Sequence, residues 1–243
     1  YPGLTTRLLA RRVNRVLLNF DESRRYLKRS DNTSVVGTPI REDMIFCDQA
    51  AARAKLGVDD RPLLVSFWGS LGAREMNRMM ATVIERECEH DDVWHIHATG
   101  RYGYQWMPEL LRERGVDLGA HPQIDLREYI HDMPTVMAAA DLVLCRGGAS
   151  TLSELMALGK PAIIVPSPNV SANHQERNAR VLEHAGGAQV IVEHSCNGER
   201  LYTAARTLLF DPERRAEMSR NLKKIAVLDA TDRIYKEIVA LAK

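Results

Sequence analysis

The sequence predicts an α/β fold, a doubly wound parallel sheet, and three observations carry that reading. Short apolar runs alternate with helical stretches over most of the 243 residues, which is the pattern of an open α/β sheet. Several of these runs lead into a glycine-bearing loop and then a helix start. From Cys145 to Ala179 the strand-loop-helix order occurs twice in succession, with loop chemistry suited to a polar ligand.

Residues 1–36 differ from the rest. Arg7, Arg11, Arg12, Arg15, Arg24, Arg25, Lys28 and Arg29 outweigh Asp21 and Glu22 there, with a short helix expected over Thr5–Arg12 and a strand over Val13–Phe20. Gly37-Thr-Pro-Ile-Arg41 reads as a boundary loop, so 1–36 is expected to be the tail of a preceding domain and 37–243 a complete α/β domain. The chain opens on Tyr1-Pro-Gly-Leu without a methionine and is expected to be a fragment.

Arg61–Phe67 is the domain's first strand, running into Trp68-Gly-Ser-Leu-Gly-Ala-Arg74 and a helix from about Glu75 to Glu87. Val93–Ala98 is the next strand, Met107–Arg114 a helix stopped by Gly115, and Gln123-Ile124 a short strand. Residues 132–140 read as helical and lead into Asp141–Cys145, an apolar run too short for a helix and suited to a buried parallel strand. Gly159-Lys-Pro ends the following helix and Pro161–Val165 is again a strand. Asn173–His184 is helical with Gly186-Gly187 as its stop, and Ala188–Val192 is the last strand. Asp211-Pro212 supplies an N-cap and a first-turn proline for a closing helix.

Composition excludes several classes. Lys and Arg total 33 against 32 Asp and Glu, so no basic excess points to nucleic acid. Cys47, Cys88, Cys145 and Cys196 are far apart with no CxxC pair, which favours a reducing cytoplasm over disulfides or zinc. No apolar run approaches the ~20 residues of a membrane span, and no signal peptide is evident. His90, His95, His97, His121, His131, His184 and His194 show no metal-ligand spacing. No GxGxxG opens the first strand-helix unit, which argues against a dinucleotide oxidoreductase.

The chemistry concentrates after Cys145. Gly147 and Gly148 let the backbone approach a ligand without Cβ interference. Ser150 or Thr151 is expected to cap a helix whose free N–H groups attract negative charge. Glu154 follows about one turn inside, within reach of a sugar diol.

Together with Pro2-Gly-Leu-Thr-Thr-Arg7, Gly37–Arg41, Gly69-Ser-Leu-Gly-Ala73 and His174-Gln-Glu-Arg-Asn-Ala179, these residues stand in the order and spacing of the MurG family, glycosyltransferase family 28. The resemblance covers essentially the whole chain. It implies a GT-B architecture of two Rossmann-like domains facing across a cleft, of which this chain resembles the C-terminal, donor-binding half plus the end of the N-terminal half. Members transfer GlcNAc from UDP-GlcNAc to the C4 hydroxyl of the muramyl sugar of lipid I, giving lipid II for peptidoglycan.

The resemblance also implies roles. Arg41 meets the donor diphosphate, where a guanidinium offers several donors to phosphate oxygens. Ser70, with Gly69 and Gly72, holds phosphate, and the backbone of Ile130 reads uracil. Ala149, Ser150 and Thr151 surround the nucleotide, with Leu152 and Ser153 in the same turn, and Glu154 binds the ribose hydroxyls. Gln175 bonds hydroxyls of the transferred sugar, with Gly148, His174 and Asn178 in support. Plainer readings stand beside these: a solvated arginine, a first-turn helix carboxylate, an apolar turn residue, a surface histidine. The chain departs from the family pattern at Thr6, Thr38, Trp68, Leu71 and Gly147, and Trp68 places a bulky ring at a loop expected to approach phosphate.

The implied chemistry gathers charge on the departing diphosphate, to be met by Arg41, loop N–H groups and a helix N-terminus. No DxD-type carboxylate pair is placed to hold a metal, so no metal or other cofactor is expected beyond the UDP-GlcNAc substrate. The general base belongs to the family's N-terminal domain, which also takes lipid I, so the chain is expected to bind donor without turnover. The basic first segment suggests peripheral contact with anionic lipid at the inner face of the plasma membrane. Alternatives are another GT-B enzyme acting on a glycolipid, a non-hydrolysing UDP-GlcNAc epimerase, or a catalytically silent nucleotide-sugar-binding module.

Overall fold

In the computed structural model, which describes residues 1–242, parallel pairing organises the chain. A first segment contains α1 (Leu4–Leu9), β1 (Val16–Leu18) and β2 (Thr33–Val35). Next come α2 (Glu42–Ile45), α3 (Gln49–Leu56), β3 (Leu63–Phe67), α4 (Arg74–Cys88), β4 (Trp94–Ala98), α5 (Met107–Glu113) and β5 (Ile124–Arg127). The chain continues through α6 (Met133–Ala139), β6 (Leu142–Cys145), α7 (Ala149–Leu158), β7 (Ala162–Ile164), α8 (His174–His184) and β8 (Ala188–Val190). It closes with α9 (Gly198–Leu209), α10 (Pro212–Ile225) and α11 (Ala230–Leu241).

The main sheet is parallel throughout, in the order β5-β4-β3-β6-β7-β8. Strands β3 to β5 build outward to one edge. The chain then returns through α6 and lays β6 on the other side of β3, with Phe67 opposite Cys145. This is the doubly wound α/β fold expected from the alternating pattern. Strands β6 and β7 are apolar on both faces because both faces are covered. Leu63 and Val65 join a core with Met44 of α2, Val136 of α6, Leu152 of α7 and Leu182 of α8. Leu64 and Trp68 point the other way, toward Met76 and Met80 of α4, Leu111 of α5 and Leu201 of α9.

Local signals place the helix ends. Gly159 closes α7 at φ +64, a left-handed conformation that favours glycine. Asp211 caps α10, its Oδ1 accepting from Arg214 N at 2.8 Å, as the Asp-Pro pair predicts. The strand expected over Val13–Phe20 shrinks to Val16–Leu18, because β2 offers it only Thr33–Val35 as partners. The helix expected over Thr5–Arg12 is observed at Leu4–Leu9. Segment 1–36 has its own small core of Ala10, Val16, Leu18 and Leu27. Among the described residues no helix is long and apolar enough to cross a membrane.

Beneath the sheet's C-terminal ends lies a buried polar relay that the spacing of the histidines did not reveal. Ser66 Oγ lies 2.7 Å from His95 Nε2 and 2.6 Å from His97 Nδ1, while His95 Nδ1 lies 2.6 Å from Glu87 Oε2. It links β3, β4 and α4. His97 is fully enclosed, and burial first, then neighbouring His95, push its pKa well below the ordinary value of 6.5. The unfolded chain therefore takes up a proton on His97 that the folded chain refuses, so stability is lost as pH falls below about 6.5. The thermal midpoint is expected to drop between pH 7 and pH 5, and a His97→Gln variant to show a shallower drop over the same interval.

Candidate functional site

Where β3 and β6 lie side by side their connections leave in opposite directions, which opens a crevice at the strands' C-terminal ends. On the β3 side the loop turns at Gly69 (φ +89) and Gly72 (φ +78), and a Cβ on Gly72 would overlap the Thr99 carbonyl. Ser70 is exposed in this loop, its carbonyl accepting from Arg101 N at 3.3 Å. Helix α4 then starts at Arg74 without a side-chain cap.

On the β6 side Gly148 itself is the N-cap of α7, with φ −69 and ψ 136 and no side-chain cap. The expectation that Ser150 or Thr151 caps this helix is therefore corrected. Both lie inside the first turn, because the helix begins earlier than the first hydroxyl. Leu152 N bonds Gly148 O at 3.0 Å, the first bond of the helix. That leaves the N–H groups of Ala149, Ser150 and Thr151 unsatisfied within the helix. Two uncapped helix starts thus flank one crevice, an arrangement that attracts anions.

The side chains divide by depth. Glu154 is half-buried and has no hydrogen-bond or ion-pair partner among the described residues; desolvation alone raises its pKa above the usual glutamate value. Leu152 and Ser153 turn inward: Leu152 joins the core, and Ser153 Oγ bonds Ala149 O at 3.0 Å and accepts from Asn19 Nδ2 at 3.1 Å. Neither side chain faces the crevice, since the helical period that exposes Ser150 and Glu154 buries them. Gln175 Oε1 accepts from Gly147 N at 3.2 Å and from Ser167 N at 2.9 Å. Its carbonyl end is thus a tie between loops, and only its amide N–H groups remain to be offered to a ligand.

The supporting residues are less uniform. His174 Nδ1 lies 3.0 Å from Ser171 O. Asn178 is 4% exposed, so its role here is internal. Ile130 is 2% exposed, and its side chain anchors the β5–α6 connection in the core while its backbone belongs to no helix or strand. Arg41 stands at the start of α2, which packs against α6 and α7. Its exposed guanidinium is engaged by Asp43 through both oxygens, Nε to Oδ1 at 3.0 Å.

Trp68 does not crowd the loop. The ring is 4% exposed and faces the α4 and α9 core. Sequence reasoning passed over Arg146, which lies over that ring and pairs with Glu193 at 2.5 Å. Nothing in its local pattern marked it, since its partners lie far along the chain.

Comparison with known proteins matches residues 63–234 to the glycosyltransferase family 28 C-terminal domain. The chain belongs to this family. It is 41% identical, over its whole length, to the UDP-N-acetylglucosamine–N-acetylmuramyl-(pentapeptide) pyrophosphoryl-undecaprenol N-acetylglucosamine transferase of Acetivibrio thermocellus, and spans 65% of that relative. The Desulforudis audaxviator enzyme of the same name is 38% identical over 99% of the chain and 65% of the relative. In three dimensions the chain is similar to Acinetobacter baumannii MurG, with TM-score 0.77 at 23% identity, over 98% of this chain and 64% of that one. A complex of Anabaena Alr3699/HepE with UDP-glucose superposes with TM-score 0.63 at 18% identity, over 96% and 66%. Both structural likenesses, each under 25% identical, concern the fold alone.

One contact in this site is testable without ligand. A Cβ on Gly147 would overlap the Gln175 carbonyl. Gly147→Ala is expected to cost about 1–3 kcal/mol, read as a lower urea midpoint at unchanged slope.

Proposed function

We propose that this chain is the donor-binding half of an inverting, UDP-GlcNAc-dependent hexosyltransferase of the MurG type, which completes lipid II by adding GlcNAc to lipid I. The observation that carries this reading is the pair of uncapped helix starts and glycine loops after the neighbouring strands β3 and β6, with unpartnered Glu154 one turn inside α7. The names of the Acetivibrio and Desulforudis relatives support the donor and acceptor assigned. We take 37–243 as the donor domain and 1–36 as the end of the acceptor domain.

In this reading uracil lies against the Ile130 backbone and the ribose hydroxyls donate to Glu154. The diphosphate takes the N–H groups of Ala149, Ser150 and Thr151, the Ser70 hydroxyl, and the guanidinium of Arg41 once Asp43 is displaced. Gln175 donates its amide hydrogens to a sugar hydroxyl. The C4 oxygen of the acceptor bonds to the anomeric carbon as the bond to the diphosphate oxygen breaks. UDP leaves with the electron pair, and the acceptor proton goes to a base. We assign that base, and the contacts to lipid I and anionic membrane at the cytoplasmic face, to the part of the relatives beyond the matched region. Charge on the leaving group is met by fixed N–H dipoles and a guanidinium, so no metal is required for donor binding.

Calorimetric titration with UDP-GlcNAc, UDP-GalNAc and UDP, with and without Mg²⁺, tests this. Selective GlcNAc binding, indifferent to metal and lost in Glu154→Ala, is the expected result; a folded protein that binds none of the three refutes the reading. The same titration against pH carries a second expectation. A half-buried carboxylate with a raised pKa is protonated earlier than usual on acidification, and a protonated Glu154 accepts less well from a diol. Affinity is therefore full near neutral pH and declines as pH falls through that raised value, whereas Glu154→Gln gives a weak and flat profile.

A further inference from the structure

We propose that Arg146 is a positioning residue that holds the two phosphate-facing loops at a fixed spacing, through Trp68 on one side and Glu193 on the other. This rests on the donor-site reading above. Arg146 directly follows β6 and precedes Gly147; Trp68 directly follows β3 and precedes Gly69. The guanidinium lies over the Trp68 ring, 5.9 Å from its centroid. The same group donates to Val165 O at 3.1 Å, just beyond β7, and to Glu193 Oε2 at 2.5 Å, beyond β8. One side chain therefore touches the ends of β3 and β7 and the segment after β8, from its own place at the end of β6.

The surroundings favour position over direct charge. The Arg146 and Glu193 side chains are only 14% and 18% exposed, and the carboxylate balances the guanidinium at contact distance. Trp68 Nε1 has no hydrogen-bond partner, so packing and the cation above it hold the ring in place. Glycines on both sides of the crevice define no spacing of their own; the residue before each loop must set it. A planar guanidinium can stack and make directed bonds at the same time, which an ammonium cannot.

The experiment compares UDP with uridine, which lacks the diphosphate, by calorimetry or ligand-detected NMR on the full chain. Arg146→Lys, which keeps the charge, is expected to weaken UDP by about tenfold or more, the scale of a small misplacement of binding groups, while uridine affinity and the thermal midpoint stay near wild type. Glu193→Gln provides the same comparison should the lysine variant fail to fold, with a smaller loss confined to UDP. Equal loss for UDP and uridine would mean that Arg146 only maintains the fold, and unchanged UDP affinity would mean that the loops need no clamp; either overturns the proposal. A folded wild type that binds neither ligand fails earlier, at the donor site itself, and is told apart by needing no variant.

Discussion

The reversal of connection between β3 and β6 is the constraint on which the rest of the structure depends. Neighbouring parallel strands whose chains depart in opposite directions leave no backbone to fill the space between their C-terminal ends. The loops there must turn sharply and pass close to their neighbours, hence Gly69 and Gly72 at positive φ and Gly72 and Gly147 at the closest approaches. Helices α4 and α7 begin at that gap, and neither Ala73 nor Gly148 supplies a side-chain cap. A cap at either point would satisfy internally the donors that an anion can satisfy. The site is what the fold leaves unpaired at its one discontinuity.

Around that gap, charge is handled in two ways. Arg41 and Asp43 are exposed, and solvent screens their pairing strongly, so the ion pair resists a competing anion only weakly. An arginine held this way stays ready for exchange. Arg146 and Glu193 are mostly enclosed, where breaking a pair strands a charge, and such pairs act as fixed parts of the scaffold. Burial, more than residue type, separates an arginine free to exchange its partner from one fixed in the scaffold.

The legible part of the fold was the part governed by local rules. Strands β3, β4 and β6 announce themselves as short apolar runs because both faces are covered, and Gly159 and Asp211 mark helix ends through their own backbone and side-chain chemistry. The glycine loops and Glu154 were legible for the same reason. Position within a turn was not. Ser150 and Thr151 have the right side chains for a cap, yet Gly148 begins the helix two residues before Ser150, and the first-turn period then sends Leu152 and Ser153 inward. Long-range contacts left no local trace either. Arg146 gains its meaning from Glu193, 47 positions away, and His95 and His97 gain theirs from Ser66 and Glu87 on other elements. Trp68 looked obstructive because a sequence does not say which face of the sheet a loop-edge residue joins.

The division at residue 36 is a boundary in composition more than in mechanics. Segment 1–36 reaches α7 and α8 close to Glu154 and Gln175. Asn19 bonds Ser153, next to Glu154, and the Tyr1 and Tyr26 rings lie 4.5 Å and 5.4 Å from the guanidinium of Arg177, two positions past Gln175. At the other end of the chain, Glu237 of α11 pairs with Arg15 and accepts from Ser34, so the last helix crosses back onto β1 and β2. Rotation of this segment against the main sheet must therefore strain α7 and α8 near their first turns or release these contacts. The change in composition at residue 36 is thus bridged by side-chain contacts to α7, α8 and α11.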